Sequence, residues 1–401
     1  MASLTINKGD KKPDISQLVR QTGGGTTDAA EGNDADAEEY VAPADRYVCP
    51  RDAIEIEPEA TVIYAVGTRG LKVTVIEHLE CYSNTLTSLC LRSNLIKKMQ
   101  GMSTLTNLTN LELYDNNIAK LEGIENLVGL TNLDLSYNKI RKLENLSSLT
   151  NLKTLYCASN KLKTIGDGLA CLTSLTRLDL GSNRLRKFEG LSTLTNLREL
   201  WMGRNKITQI SGIENLTSLC KLDVQSNRLL NLTYGPEDPK AKSGDMKASG
   251  EDKKNTESSE NTESTARTND VAEADSGNNT DAEERIDSLA NNINLEELYL
   301  GHNNITEIKG IQALTRLNTL DFSSNKIKRI QNVDQLTMLE EFWMSGNLID
   351  TYEEIKNLST CKVIKTVYFE HNPISKDFEY RMRTAEMLPS LKQIDATPCR
   401  R

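Results

Sequence analysis

Large side chains are scarce in this 401-residue chain. It holds two tryptophans, five phenylalanines and twelve tyrosines, and its apolar content is 37%. A single compact core of the ordinary kind is hard to build from such a composition. Nowhere do 18 apolar residues run together, which excludes a membrane-spanning helix of ordinary length. The first residues lack an apolar block followed by a small-residue cleavage site, so no signal peptide is read there. The eight cysteines are scattered, with no C-x-x-C pair and no histidine at metal-ligand spacing. They fit small thiols of a reducing compartment, and an intracellular protein is expected. Seven Asn-x-Ser/Thr sequons mostly fall out of a recurring NLT or NLS element and carry little weight. The three histidines lie in unrelated segments, and the TGGGTT at 22–27 is not followed by Lys-Ser/Thr. No catalytic constellation emerges. The expectation is a protein that is not an enzyme, with no cofactor and no metal.

Charge is unevenly spread. Residues 1–58 carry 12 acids against 6 bases and residues 234–288 carry 15 against 7, so the rest of the chain is mildly basic although the whole is at −9. Both acidic stretches are rich in Gly, Ser, Asp and Glu and poor in large apolar groups, a composition expected to stay disordered.

What the chain does have is repetition. The register L-x-x-L-x-L-x-x-N-x-[LI] occurs eleven times, with asparagines at 94, 116, 138, 160, 183, 205, 227, 303, 325, 347 and 372. Most steps are 22 residues; the step from 227 to 303 marks an insertion of about 54. This is the leucine-rich-repeat register, and an α/β solenoid follows from it. The expected form is a right-handed arc with a parallel β-sheet on its concave face, 3-10 or irregular turns on the convex face and a C-terminal helical cap. Each L-x-L is a strand whose leucines face inward, and each asparagine satisfies backbone groups at a buried turn. The domain reading is an acidic segment over 1–58, an irregular N-terminal coil or cap over 59–85, repeats over 86–233, the insertion over 234–288, repeats over 289–374, and a cap helix and tail over 375–401. In the cap, Ser375 is the expected N-cap, Phe378, Met382 and Ala385 form the buried stripe, and the helix stops before Pro389. The insertion follows Leu232, so it leaves the strand face continuous.

Strand side chains alternate. The residue between the last two leucines therefore points out of the sheet. Down the stack these residues run Asp134, Tyr156, Asp179, Trp201, Asp223, Tyr299, Asp321, Trp343 and Tyr368, acids and aromatics in turn as far as Trp343. Cys90 and Glu112 precede them, and Glu199, Glu297 and Glu341 stand two residues earlier on their strands. The following outward positions are small, among them Gly181, Gly203 and Gly301, which leaves the aromatics accessible. Aromatic anchors ringed by charge are the usual make-up of protein-binding hot spots. The expected partner is basic and partly apolar; nucleic acid is not expected, since the acids repel phosphate, and no membrane contact is expected. A second column, Lys139, Lys161, Arg184, Lys206, Arg228 and Lys326, follows the asparagines and lies on one rim. The KTVYF at 365–369 matches a short basic-x-Val-x-Phe docking pattern for the type-1 phosphatase, but Val367 and Phe369 fall at inward positions and are not available to a partner.

The 22-residue register, the LEEFWMSGN coil and the ending VYFEHNPISKDFEYRMRTAEMLPSLKQIDAT resemble the leucine-rich-repeat regulatory subunits of the type-1 serine/threonine phosphatase. The resemblance runs from about residue 86 to 397 outside the insertion and points to a fungal-type or other lower-eukaryote member. It implies that the arc holds the phosphatase catalytic subunit through Asp134, Tyr156, Asp179, Trp201, Asp321, Glu341, Trp343 and Tyr368. Tyr156 and Trp201 stand where the family usually has phenylalanine, and Asp179 where it usually has glutamate. It also implies a nuclear and cytoplasmic complex, active in mitosis, that admits a further phosphatase inhibitor protein as a ternary member. A general repeat scaffold for a different partner is the alternative.

Overall fold

Each repeat supplies one three-residue strand, and stacking turns these strands into a single parallel sheet. The computed structural model describes residues 48–234 and 286–399; the remainder of the two acidic segments lies outside the described residues. The sheet opens with β1 (Val62–Tyr64) and continues through β2 (Ser88–Cys90), β3 (Asn110–Glu112), β4 (Asn132–Asp134), β5 (Thr154–Tyr156), β6 (Arg177–Asp179), β7 (Glu199–Trp201) and β8 (Lys221–Asp223). A short antiparallel pair, β9 (Thr233–Tyr234) with β10 (Ile286–Asp287), closes the base of the insertion. The sheet resumes with β11 (Glu297–Tyr299), β12 (Thr319–Asp321), β13 (Glu341–Trp343) and β14 (Thr366–Tyr368). Strand β8 pairs directly with β11, Asp223 opposite Tyr299, so the strand face is continuous across the insertion.

The middle residue of every strand is buried, as are the leucines that flank it, and these side chains form one unbroken core from Ile63 to Ile394. A lone coil has no such core, because its leucines face only its neighbours. Across the back, the G-I-x-N-L-T-x-L segments make successive three-residue turns: Leu127 N–H donates to Ile124 O at 3.0 Å, and Leu130 N–H to Leu127 O at 3.0 Å. Three residues per turn bring every third apolar side chain to the inside, which leaves no call for a longer helix there. These turns begin at a left-handed residue. Gly123 has φ +79°, and a Cβ on it would lie 2.0 Å from Met99 O. Asn145 replaces the glycine at φ 59° and its Nδ2 donates to Leu121 O at 2.7 Å, a conformation that asparagine tolerates through its short polar side chain.

The repeat asparagines tie the coils together. Asn160 Nδ2 donates to Cys157 O in its own coil (3.2 Å) and to Leu135 O in the coil before (2.9 Å), while its Oδ1 accepts from Ile140 N–H (3.0 Å). The pattern holds across the insertion, where Leu229 N–H donates to Asn303 Oδ1 at 3.0 Å and Asn303 Nδ2 to Val224 O at 3.0 Å.

Two expectations are corrected at the ends, and a third element takes a more definite form. Residues 59–85 supply a first coil of the stack, regular only in a strand and a short 3-10 turn: β1 pairs in parallel register with β2, Tyr64 opposite Cys90. The coil escaped the register because Thr68 takes the place of asparagine and its turn is longer, held by Thr68 N–H to Leu71 O at 3.0 Å. Residues 48–58, assigned by composition to a disordered segment, include a short helix, α1 (Pro50–Ala53), with Val48 and Cys49 buried. Val48 N–H donates to Thr74 Oγ1 at 2.9 Å and Thr74 N–H returns to Val48 O, a backbone clamp that composition does not reveal. A second helix, α2 (Tyr352–Lys356), lies on the back of the coil before β14.

The C-terminal helix, α3, spans Tyr380–Met387. Pro373 starts a 3-10 turn over Pro373–Lys376 instead, and Ser375 Oγ donates to Asn372 O rather than capping the helix. The buried residues are Tyr380 and Thr384, while Phe378 is 93% exposed and Met382 55% exposed. Tyr380 Oη reaches Asp395 Oδ2 at 3.1 Å, and Asp395 Oδ1 accepts Phe369 N–H at 2.8 Å, which draws the helix onto its Tyr380 side. Two further strands, β15 (Gln393–Ile394) beside β14 and β16 (Thr397–Pro398) folded back on it, finish the sheet.

Asn183 donates to Cys157 O and Leu180 O at 3.0 Å each and accepts from Leu162 N–H. Asn183→Leu strands these groups in the interior and is expected to lower stability by roughly 3 kcal/mol, read as a lower urea midpoint by circular dichroism.

Candidate functional site

The outward residues of nine adjacent strands, β4 to β8 and β11 to β14, form one file. Asp134 stands opposite Tyr156, Tyr156 opposite Asp179, Asp179 opposite Trp201 and Trp201 opposite Asp223. Beyond the insertion Asp223 faces Tyr299, Tyr299 faces Asp321, Asp321 faces Trp343 and Trp343 faces Tyr368. Glu341 lies in the neighbouring file, opposite Thr319 and Thr366. All ten candidate residues are thus brought onto one surface.

Their exposure is less than alternation alone suggests. The aromatics and most of the acids are half-buried, and Asp321 is buried at 6% exposure. Each aspartate is tucked against the backbone: Asp134, Asp179, Asp223 and Asp321 Oδ1 accept the N–H of Ser136, Gly181, Gln225 and Ser323 at 2.7 to 3.0 Å. This accounts for the small residues alongside. A Cβ on Gly301 would lie 2.7 Å from Asp321 Oδ2, and one on Gly203 3.2 Å from Asp223 Oδ1. The glycines make room for a neighbouring carboxylate as much as they uncover a ring.

Toward the C-terminal end of the file the rings come together. Tyr299 and Trp343 sit two strands apart, yet their ring centroids are 6.0 Å from each other, above Asp321. Trp343 meets Tyr368 edge-on at 5.9 Å. Trp343 Nε1 is buried without a hydrogen-bond partner. Tyr299 Oη donates to Glu297 Oε2 at 2.7 Å, and Lys221 Nζ pairs with the same oxygen at 2.6 Å while standing 5.1 Å from the Tyr299 ring centre.

Burial raises the carboxyl pKa of all four aspartates. Asp179 is pushed up to about 6, first by desolvation and then by the neighbouring charges of Asp223 and Asp134. Nearby cations oppose the rise at two of them, Arg92 at Asp134 and Lys221 at Asp223.

Two contributors escaped the sequence reading. Tyr64 extends the file past Cys90 at 59% exposure, hidden because its coil lacks the asparagine. Arg92 pairs with Glu112 at 2.7 Å and reaches Asp134 at 3.6 Å, so the N-terminal end of the face is not purely acidic. A cation at the third outward position was the available signal. In the KTVYF segment, Val367 and Phe369 are fully buried, as their register requires.

A model of Leucine Rich repeats (2 copies) matches residues 128–171, 150–193, 173–215 and 293–335. Among solved structures, an internalin of Listeria monocytogenes superposes with TM-score 0.57 at 22% identity, covering 84% of this chain and 87% of that one. The functional domain of InlJ from the same species gives 0.55 at 25% identity over 80% and 55%. With the geometry above, these define the class: the chain is a leucine-rich-repeat solenoid. More particularly, its repeats are similar to those of protein phosphatase 1 regulatory subunit 7. The Xenopus tropicalis protein is 42% identical over 50 residues, 12% of this chain and 14% of that protein. Protein phosphatase 1 regulatory subunit pprA of Dictyostelium discoideum is 43% identical over 54 residues, 14% of this chain and 16% of that protein. The matches thus span about a seventh of the length of these relatives.

The raised pKa of Asp179 has a stability consequence. Its folded value lies above the ordinary 3.8, so the native chain binds the extra proton between about pH 4 and pH 6 and loses stability as pH rises through that window. Asp179→Asn, which keeps an acceptor for Gly181 N–H, is expected to be more stable than the native chain by about 1–2 kcal/mol at pH 7.5 and equal to it near pH 3.5, measured by urea denaturation at both pH values.

Proposed function

We propose that this chain is a non-catalytic regulatory subunit whose strand face holds the catalytic subunit of a type-1 serine/threonine phosphatase. The unbroken acid and aromatic file on nine adjacent strands carries this reading, together with the similarity of the repeats to protein phosphatase 1 regulatory subunit 7. Half-buried Trp201, Trp343 and Tyr299 supply anchors with little rotamer entropy to lose, and the aspartates between them supply charge for a basic partner. The KTVYF segment takes no part, since its two anchors are in the core. The subunit sets the activity, location or assembly of its partner in nucleus and cytoplasm, and a further phosphatase inhibitor protein joins as a ternary member. A general repeat scaffold for a different partner is the second reading; the short length of the matched stretch favours it.

Purified type-1 catalytic subunit is expected to bind the full chain, and Trp201→Ala with Trp343→Ala is expected to weaken binding at least a hundredfold while leaving the circular dichroism spectrum unchanged. Full binding by a folded double variant removes the site from consideration. If instead the native chain fails to bind the catalytic subunit, the scaffold reading takes over. Because the acids must be ionised to meet a basic surface, affinity is also expected to rise with pH across the region around 6 where Asp179 titrates. In Asp179→Asn that rise is expected to flatten.

A further inference from the structure

On the flank of the solenoid, where each coil leaves its asparagine, the residues one, three and four places on point outward because those two and five places on are buried. Over the seven coils from Asn94 to Asn227 these outward places hold thirteen lysines and arginines and not one acid. Lys98, Arg141, Lys142, Lys163, Arg186 and Lys187 are all exposed. Among the described residues, only Lys120 of the thirteen makes an ion pair, with Glu122 at 3.2 Å. Glu144 and Glu189 border the strip two places further along the chain without pairing with it. The strip is interrupted at the insertion, where the next coil offers Asn304, Thr306 and Glu307 in the same places, and Lys326, Lys328 and Arg329 stand apart from it on the coil after that.

Neighbouring coils are about 4.8 Å apart, less than the roughly 8–10 Å over which charge is screened at physiological salt. The cations therefore repel one another in the free chain, over a ledge roughly 30 Å long. Solubility alone asks for mixed signs rather than a single-sign ledge. No aromatic side chain occupies these places, so the ledge lacks the stacking platform of a single-stranded nucleic-acid surface.

We propose that this ledge is a second interaction surface, distinct from the strand face, that takes an extended acidic polypeptide from a partner. Each pair of carboxylates lies across successive coils, and the strand face stays open to its own ligand. The surface stands on its own observations and does not depend on what occupies the acid and aromatic file.

The test is fluorescence anisotropy of the full chain with a labelled oligoglutamate of about twelve residues, long enough to cover the ledge when extended. Binding is expected at low salt and is expected to weaken as salt is raised. Lys142→Glu with Lys163→Glu and Arg186→Glu is expected to reduce it at least tenfold. Lys309→Glu with Lys328→Glu and Arg329→Glu, on coils beyond the insertion, is expected to leave it within twofold. Equal loss in both triple variants overturns the site, as does tighter binding of a single-stranded oligonucleotide of equal charge. A version with residues 235–285 replaced by a short Gly-Ser linker guards against competition from the chain's own 14 acids in that segment. No binding by either version overturns the proposal; binding by the shortened version alone assigns the ledge to this chain's own segment and overturns the assignment to a partner.

Discussion

A polar side chain in the interior holds this solenoid in register. Strand pairing satisfies three residues per coil, and the chain then turns sharply away, with its carbonyls and amides facing a core made of leucine. The repeat asparagine meets that need with two donors and one acceptor. Because Asn160 reaches a carbonyl in the preceding coil as well as its own, each asparagine also fixes the offset between neighbours. The ladder runs from Asn94, which donates to Ala65 O at 2.7 Å, to Asn372, which donates to Met344 O at 2.8 Å. At the far end Asp395, next along from the β15 strand, accepts Phe369 and Glu370 N–H, so amides of the last coil meet a side-chain acceptor of a different kind.

That fixed offset is what makes a surface out of single residues. One outward side chain per coil has no meaning alone, but with coils in exact register such residues become a file, and the chemistry of the file follows from the spacing. Rings two strands apart are close enough to meet over the carboxylate between them, as Tyr299 and Trp343 do over Asp321. Carboxylates two strands apart are close enough to raise each other's pKa, as Asp223 and Asp134 do for Asp179. The same offset on the flank lines up lysines and arginines into a ledge of the opposite sign, so one solenoid presents two electrostatically distinct surfaces.

Much of this was legible in the amino-acid order, because a repeat states its own alignment. The eleven strands, the inward leucines, the outward file and the continuity of the sheet past the insertion all follow from counting positions. The reading failed where local chemistry departs from the repeat. Thr68 in place of asparagine concealed the first coil and with it Tyr64. Proline at 373 and the pull of Asp395 on Tyr380 turned the terminal helix away from the stripe its apolar residues suggest, leaving Phe378 in solvent.

The sequence by itself determined the architecture and which side chains face outward, since period and alternation are properties of position. Only the tertiary structure decided how far each outward side chain is exposed and what its charge costs. Those depend on neighbours 20 residues or more away: Gly301 makes room for Asp321, Lys221 stands against Tyr299 from the far side of the insertion, and Arg92 reaches across to Asp134. Exposure and pKa are set by what stands beside a group in space, and a linear pattern does not carry that information.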